Sequence, residues 1–198
     1  MELLSFLQEA YGLKDIPRSG WVVEGNAPAE TVAAHSFGAA LLAFVLSAER
    51  KDLDREKAVR MALIHDLAES RVGDILVDWK VAGRTTLKRA PNPHHGITEE
   101  QKCRLERGAI GALTRGLPAG KEIQDLWEEM EAGKTAEARF VKSVDKLDMF
   151  LQACRYEAQG KDLSSWFAHP RNQLPDQQVR AVFEKLLKLR DKRKLTGR

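Results

Sequence analysis

Leu63-Ile64-His65-Asp66-Leu67-Ala68-Glu69 is the stretch whose reading decides how the rest of this chain folds. It lies in an apolar, helix-forming run, yet it holds three side chains that resist burial. His65 and Glu69 are four residues apart, so a helix places them on one face about one turn apart. Asp66 adds a carboxylate next to the imidazole. A buried helix face excludes such groups unless they are paired or hold a metal. By itself the stretch fits a surface ion network equally well, and the flanking segments decide between the two.

The predicted helix around it covers residues 55–72, with Asp54 as its cap and Gly73 as its stop. Its inward stripe is Ala58, Met61, Ala62, His65 and Glu69. The preceding helix, residues 30–50, puts His35 on a stripe with Ala39, Leu42 and Leu46. Alone, such a histidine reads as a hydrogen-bonded core residue. Far downstream, residues 136–159 form a helix whose stripe runs Val141, Val144, Asp145, Asp148, Leu151. Asp145 stands where a leucine or valine belongs, and a carboxylate there calls for a partner.

The remaining pattern is helical too. Residues 1–13 are amphipathic; Thr98 and Gln101 make a capping box for a helix to residue 115; residues 118–132 carry Trp127 as a core residue. A last helix uses Val179, Val182, Phe183, Leu186 and Leu187 and runs into a basic tail, 190–198, expected to fray. Residues 17–21 read as a loop. The irregular segment 76–96 contains Lys80, Arg84, Lys88 and Arg89, a set that either steers an anionic substrate or is a solvated loop. His94 and His95 lie there beside prolines and are not assigned as ligands. With no strand alternation and no repeat, the expected fold is all-α: a single domain, 1–198, built as a bundle of about six or seven helices.

Composition narrows the function. At 198 residues the chain can bury a substantial core, and 43% hydrophobic with 31% charged residues describes a soluble globular protein. A net charge of +3 is too small to make nucleic acid the main partner. Cys103 and Cys154 lack CxxC spacing and read as reduced, buried thiols. No apolar run approaches the roughly 18 residues of a membrane span, and no signal peptide opens the chain, so a cytoplasmic location is expected.

His35, His65, Asp66 and Asp145 together make a mixed nitrogen and oxygen donor set, with the metal-site core inside residues 30–160. It suits one divalent ion: Co²⁺, Mn²⁺, Mg²⁺, Fe²⁺ or Zn²⁺. Four protein ligands leave coordination positions open, as in a catalytic site.

These residues carry a resemblance. The H…HD…D pattern is similar to that of the HD-domain metal-dependent phosphohydrolases. The segment His65-Asp66-Leu67-Ala68-Glu69-Ser70-Arg71-Val72-Gly73-Asp74 resembles the HD-x-x-E-x-x-x-G-D run of their 5′-deoxynucleotidases. Pro17-Arg18-Ser19-Gly20-Trp21 looks like the P-R-x-G-W loop of that family, and residues 136–146 look like its A-E-A-x-F-V-K-x-x-D segment. The resemblance implies an HD-domain helical bundle acting on a small nucleotide, as a homodimer. It also implies roles: Glu69 works on the attacking water, Arg18 clamps phosphate, Asp74 contacts substrate near the sugar or leaving oxygen, and Trp21 packs on the sugar. Lys80 joins Arg18, Trp21 and Asp74 as a substrate-binding candidate. Competing readings are a phosphohydrolase of triphosphates or cyclic dinucleotides, and a non-catalytic metal- or nucleotide-binding module.

Overall fold

The computed structural model describes residues 3–77, 92–167 and 174–196, with the backbone alone for 193–196. Lys80, Arg84, Lys88, Arg89 and His169 lie outside the described residues. The helices follow their sequence signals. α1 (Leu3–Tyr11) leads into a 3₁₀ turn, Gly12–Lys14, and then α2 (Ser19–Val23). α3 (Val32–Leu46) is capped by the Thr31 hydroxyl, which accepts from the Ala34 amide; α4 (Arg55–Ile64) is capped by Asp54 in the same way. α5 (Glu69–Val72) is a single turn. α6 (Glu99–Leu113) has both arms of the Thr98–Gln101 capping box, and α7 (Gly120–Ala132) ends at Gly133, left-handed at φ +63°. α8 (Ala136–Ala158) starts at the Thr135 cap; a 3₁₀ turn, Ser164–Phe167, and α9 (Gln177–Thr196) complete the chain. Among the described residues the sole β pairing is an isolated bridge between Pro17 and Thr31, so the fold is all-α. No helix among them is long and apolar enough to cross a membrane.

α8 is the central helix. Its Phe140, Val141, Val144, Leu147, Phe150 and Ala153 are fully buried, and α3, α4, α7 and α9 all pack on it. A second apolar cluster joins Leu13, Val32, Leu67, Ile110, Leu113 and Trp127 under α1 and α6. Trp127 is thus a core residue, as expected.

Three segments differ from expectation. The helix expected over residues 55–72 stops at Ile64. His65 Nδ1 lies 2.7 Å from the Ala62 carbonyl, the acceptor that the Asp66 amide would take in a continued helix. The backbone tightens to i→i−3 bonds, Leu67 to Ile64 and Glu69 to Asp66, both 3.0 Å, before α5 resumes. Of residues 17–21, read as loop, 19–21 form the start of α2: the Asp74 carboxylate accepts the Ser19 amide at 2.6 Å and caps the turn from 55 residues away. The basic tail expected to fray from 190 stays helical through Thr196. Arg190 anchors it, giving two hydrogen bonds to the Glu157 carboxylate at 2.5 and 2.6 Å and lying over the Phe167 ring.

Candidate active site

α3, the α4–α5 turn and α8 aim their polar side chains at one point. His35 is 1% exposed, His65 7%, Asp145 9%, so all three are core positions given to polar groups. His65 Nε2 sits 3.2 Å from His35 Nε2 and 3.2 Å from Asp66 Oδ2, while Asp145 Oδ1 reaches His35 Nε2 at 3.1 Å. Donor atoms of His35, His65 and Asp66 all lie within 4.8 Å of one another.

The other ring nitrogens decide what this cluster can do. His65 Nδ1 faces a carbonyl, which can only accept, so the proton is assigned to Nδ1. His35 Nδ1 lies 2.8 Å from Asp148 Oδ2, which assigns its proton likewise. With both Nδ1 atoms donating, both Nε2 lone pairs point into the same gap, beside two carboxylates. Three acceptors, from His35, His65 and Asp66, converge on one place and fit a cation, and Asp145 joins them through its 3.1 Å approach to His35 Nε2, so the residues present fit the divalent ion expected from the sequence. Failing a cation, the cluster holds a proton. Burial and the Arg18 charge oppose it, but hydrogen bonds to Asp145 and Asp148 outweigh them and push His35 up to about 9. Burial would likewise raise Asp66 and Asp145. The charges of His65 and Arg18 on Asp66, and of Lys146 and His35 on Asp145, hold both carboxyls well below the usual range.

Arg18 closes one side. Its Nη1 gives a 2.9 Å bond to Asp66 Oδ2 and lies 3.8 Å from Glu69 Oε1 and 3.9 Å from Asp74 Oδ1. Asp74, besides capping α2, accepts from the Ser19 hydroxyl through its own carbonyl, so it brackets the turn that carries Arg18. Glu69 is 1% exposed, and its Oε2 has no hydrogen-bond partner among the described residues. Burial, then the Asp66 and Asp74 charges, push its carboxyl well up. Glu69 is thus a buried carboxyl with a perturbed pKa and one oxygen uncommitted beside the candidate cation site, which marks it as a candidate functional group.

Trp21 is 2% exposed; its indole N–H donates to Glu30 Oε2 at 2.9 Å. Trp21, Arg18, Glu69, Asp74 and the four cluster residues His35, His65, Asp66 and Asp145 line one cavity of about 790 Å³ with Lys102, Lys142, Lys146 and Trp166. Every candidate site residue among those described lies in its wall. His94 and His95 do not; His95 Nδ1 accepts the Leu76 amide instead.

Asp148 is the residue whose role went unread. It shows in the sequence only as a second acid three residues past Asp145, on the same stripe. Its space is cleared by Gly38, where a Cβ would fall 2.1 Å from Asp148 Oδ1. Lys102 was missed as well: it pairs with Glu106 at 2.8 Å, and burial is outweighed by the charges of Glu106, Glu69 and Asp66, which raise its pKa. The i,i+4 spacing to Glu106 on α6 reads in the sequence as an ordinary surface ion pair, and the nearness of Lys102 to Asp66 and Glu69 comes only from the packing of other elements.

The HD-domain family matches residues 10–185. The chain is 38% identical over 170 residues to the 5′-deoxynucleotidase HDDC2 of Dictyostelium discoideum, covering 82% of this chain and 81% of that protein. It is 39% identical over 157 residues to human 5′-deoxynucleotidase HDDC2, covering 78% of this chain and 68% of that one. Among solved structures, a conserved hypothetical protein from Pyrococcus furiosus superposes with a TM-score of 0.71 at 30% identity, covering 93% of this chain and 99% of the other.

Proposed function

This chain belongs to the HD-domain family, and we propose that it is a metal-dependent phosphohydrolase that cleaves deoxyribonucleoside 5′-monophosphates to deoxynucleoside and phosphate. The observation that carries the proposal is the pair of inward Nε2 atoms, held in one tautomer by Ala62 and Asp148 and flanked by Asp66 and Asp145. A divalent ion held by His35, His65, Asp66 and Asp145 supplies charge neutralisation of the phosphate and a lowered water pKa.

The chain's own residues do the rest. Glu69 orients the attacking water and takes its proton on Oε2 as the water oxygen bonds to phosphorus and the P–O5′ bond breaks; the departing O5′ takes up a proton from solvent to leave as the nucleoside hydroxyl, and Glu69 returns its own to solvent. Arg18 binds phosphate oxygens with a planar fork that lysine lacks. Its ion pair with Asp66 keeps it at the site before substrate arrives. Asp74 holds the Arg18 turn and faces the sugar or leaving oxygen, and Trp21 packs on the sugar. Lys80, from the basic segment, adds a charge that attracts the nucleotide.

Phosphate release from a panel of nucleoside and deoxynucleoside monophosphates, with Co²⁺, Mn²⁺ or Mg²⁺ added, tests the reading. Release from the deoxynucleotides is expected. Release only from triphosphates or cyclic dinucleotides reassigns the substrate, and none from any nucleotide overturns the activity.

The partner side of the proposal is a homodimer in the cytoplasm. Phe37, Leu41, Phe44 and Val45 are exposed on the outer face of α3, an apolar stripe that a second copy would cover. Light scattering of the wild type and of Phe44→Glu checks it: a dimer that the substitution dissociates is expected, and a monomeric wild type refutes it.

A further inference from the structure

Asp74 lies on a non-helical run just after α5, and the backbone of that run is gripped by a turn from much later in the chain. The Asn92 side-chain amide donates twice, to the Val72 carbonyl at 3.0 Å and to the Asp74 carbonyl at 3.2 Å, on either side of Gly73. Carbonyls can only accept, so the NH₂ end of Asn92 is assigned to face them; its oxygen accepts the His94 amide at 2.9 Å. Gly73 stands at φ +71°, where a side chain is strained, and a Cβ there would fall 2.7 Å from Asn92 Nδ2. The turn adds two ties at Leu76. Its carbonyl accepts the Gly96 amide at 2.8 Å, and its amide donates to His95 Nδ1 at 3.1 Å.

Asp74 is held from the opposite side by α2. Its Oδ2 accepts the Ser19 amide at 2.6 Å, and its carbonyl accepts the Ser19 hydroxyl at 2.9 Å. That carbonyl therefore takes two donors, Ser19 and Asn92, which is all its lone pairs allow. Asp74 Oδ1 is left facing Arg18, 3.9 Å from Nη1, and Arg18 directly precedes Ser19. A shift of the Asp74 backbone thus moves the carboxylate and the guanidinium together. We propose that Asn92 is a positioning residue for phosphoryl transfer, locking the Asp74 backbone and, through Asp74, the turn that carries Arg18. The proposal rests on the nucleotidase reading above and deepens it, since none of the segments that carry the family resemblance includes Asn92.

A misplacement of about 1 Å at groups that orient a substrate costs about 10²-fold in rate. Asn92→Ala is therefore expected to lower kcat/KM for a deoxynucleoside 5′-monophosphate by about 10–100-fold with unchanged helix content by circular dichroism. Asn92→Asp turns an oxygen toward the same two carbonyls and is expected to lose at least as much; wild-type turnover in either variant overturns the proposal. A double-mutant cycle separates positioning from general support of the fold. With Asp74→Ala already in place, Asn92→Ala is expected to cost less than about threefold. The full loss in both backgrounds means that Asn92 does not act through Asp74.

Hydrogen exchange at the Ser19 amide, followed by nuclear magnetic resonance, reads the same coupling without turnover. It decides alone where Asp74→Ala releases too little phosphate to measure. Faster exchange at Ser19 is expected in Asn92→Ala and in Asp74→Ala, with the Ala34 amide under the Thr31 cap unchanged. Exchange at Ser19 that Asn92→Ala leaves as in wild type overturns the proposal. A wild type that releases no phosphate from any nucleotide sinks the nucleotidase, while Ser19 still reports whether Asn92 sets Asp74.

Discussion

His35 is held at both ring nitrogens, and the partner at Nδ1 matters as much as the site at Nε2. A carboxylate behind a ligating imidazole fixes its tautomer and raises its basicity, and its loss typically weakens metal binding by 10–100-fold. Asp148→Asn is therefore expected to lower affinity for Mn²⁺ by about that factor while the helix content stays unchanged, as metal titration with far-ultraviolet circular dichroism would report. Glu69 makes a different prediction. Its Oε2 is uncommitted and its Oε1 lies 3.8 Å from Arg18, so it is placed to accept a proton more than to hold the fold. Glu69→Gln should reduce turnover by about 10²–10⁴-fold and leave the metal content as it was. Loss of the metal in that variant would make Glu69 a ligand and refute its assignment as the base.

The elements around the site are locked by side chains that reach across the chain. Asp74 caps α2, Tyr156 accepts the Glu30 amide at 2.8 Å, and Glu137 in the first turn of α8 accepts the Asp54 amide at 3.0 Å. The last contact joins the start of α4 to the start of α8 and adds an ion pair, Lys57 to Glu137 at 3.4 Å. Burial raises the Glu137 carboxyl, but the Asp54 and Glu137 backbone amides and the Lys57 charge outweigh it and leave it lowered. A carboxyl lowered on folding contributes stability above its unfolded pKa, and that contribution fades as pH falls through the folded value. Glu137→Gln is therefore expected to cost about 1 kcal/mol at pH 7 and progressively less as the pH falls below the ordinary glutamate range, read from urea melts at neutral and acid pH. An equal cost at both pH values would mean that charge is not the cause.

At the scale of the whole molecule, the site ties together α3, the α4–α5 turn and α8, the elements on which the core itself is built. A cation that binds only this assembled arrangement must stabilise it, by about 2.7 kcal/mol at a hundredfold excess over the dissociation constant. For a chain of this size that corresponds to a melting temperature roughly 5–10 °C higher with Mn²⁺ than after chelation. Because His35, pushed up to about 9, must shed its proton to bind, the difference should shrink as pH falls from about 9 toward 7. A melting temperature indifferent to chelator would remove the metal from the account.

Local patterns alone determined much of this protein. Helical spacing, the Thr31, Asp54, Thr98 and Thr135 caps and the Gly133 stop set the all-α elements, and polar groups on apolar stripes marked His35, His65 and Asp145 as residues needing a partner. Such signals are legible because they act within a few residues. Tertiary structure decided the break after Ile64, the α2 turn and the place of Asp148 and Trp166. Each depends on a contact that no local period encodes: a ring nitrogen taking a helix carbonyl, a cap donated from residue 74, a glycine on α3 or α2 that clears room for a side chain more than a hundred residues away.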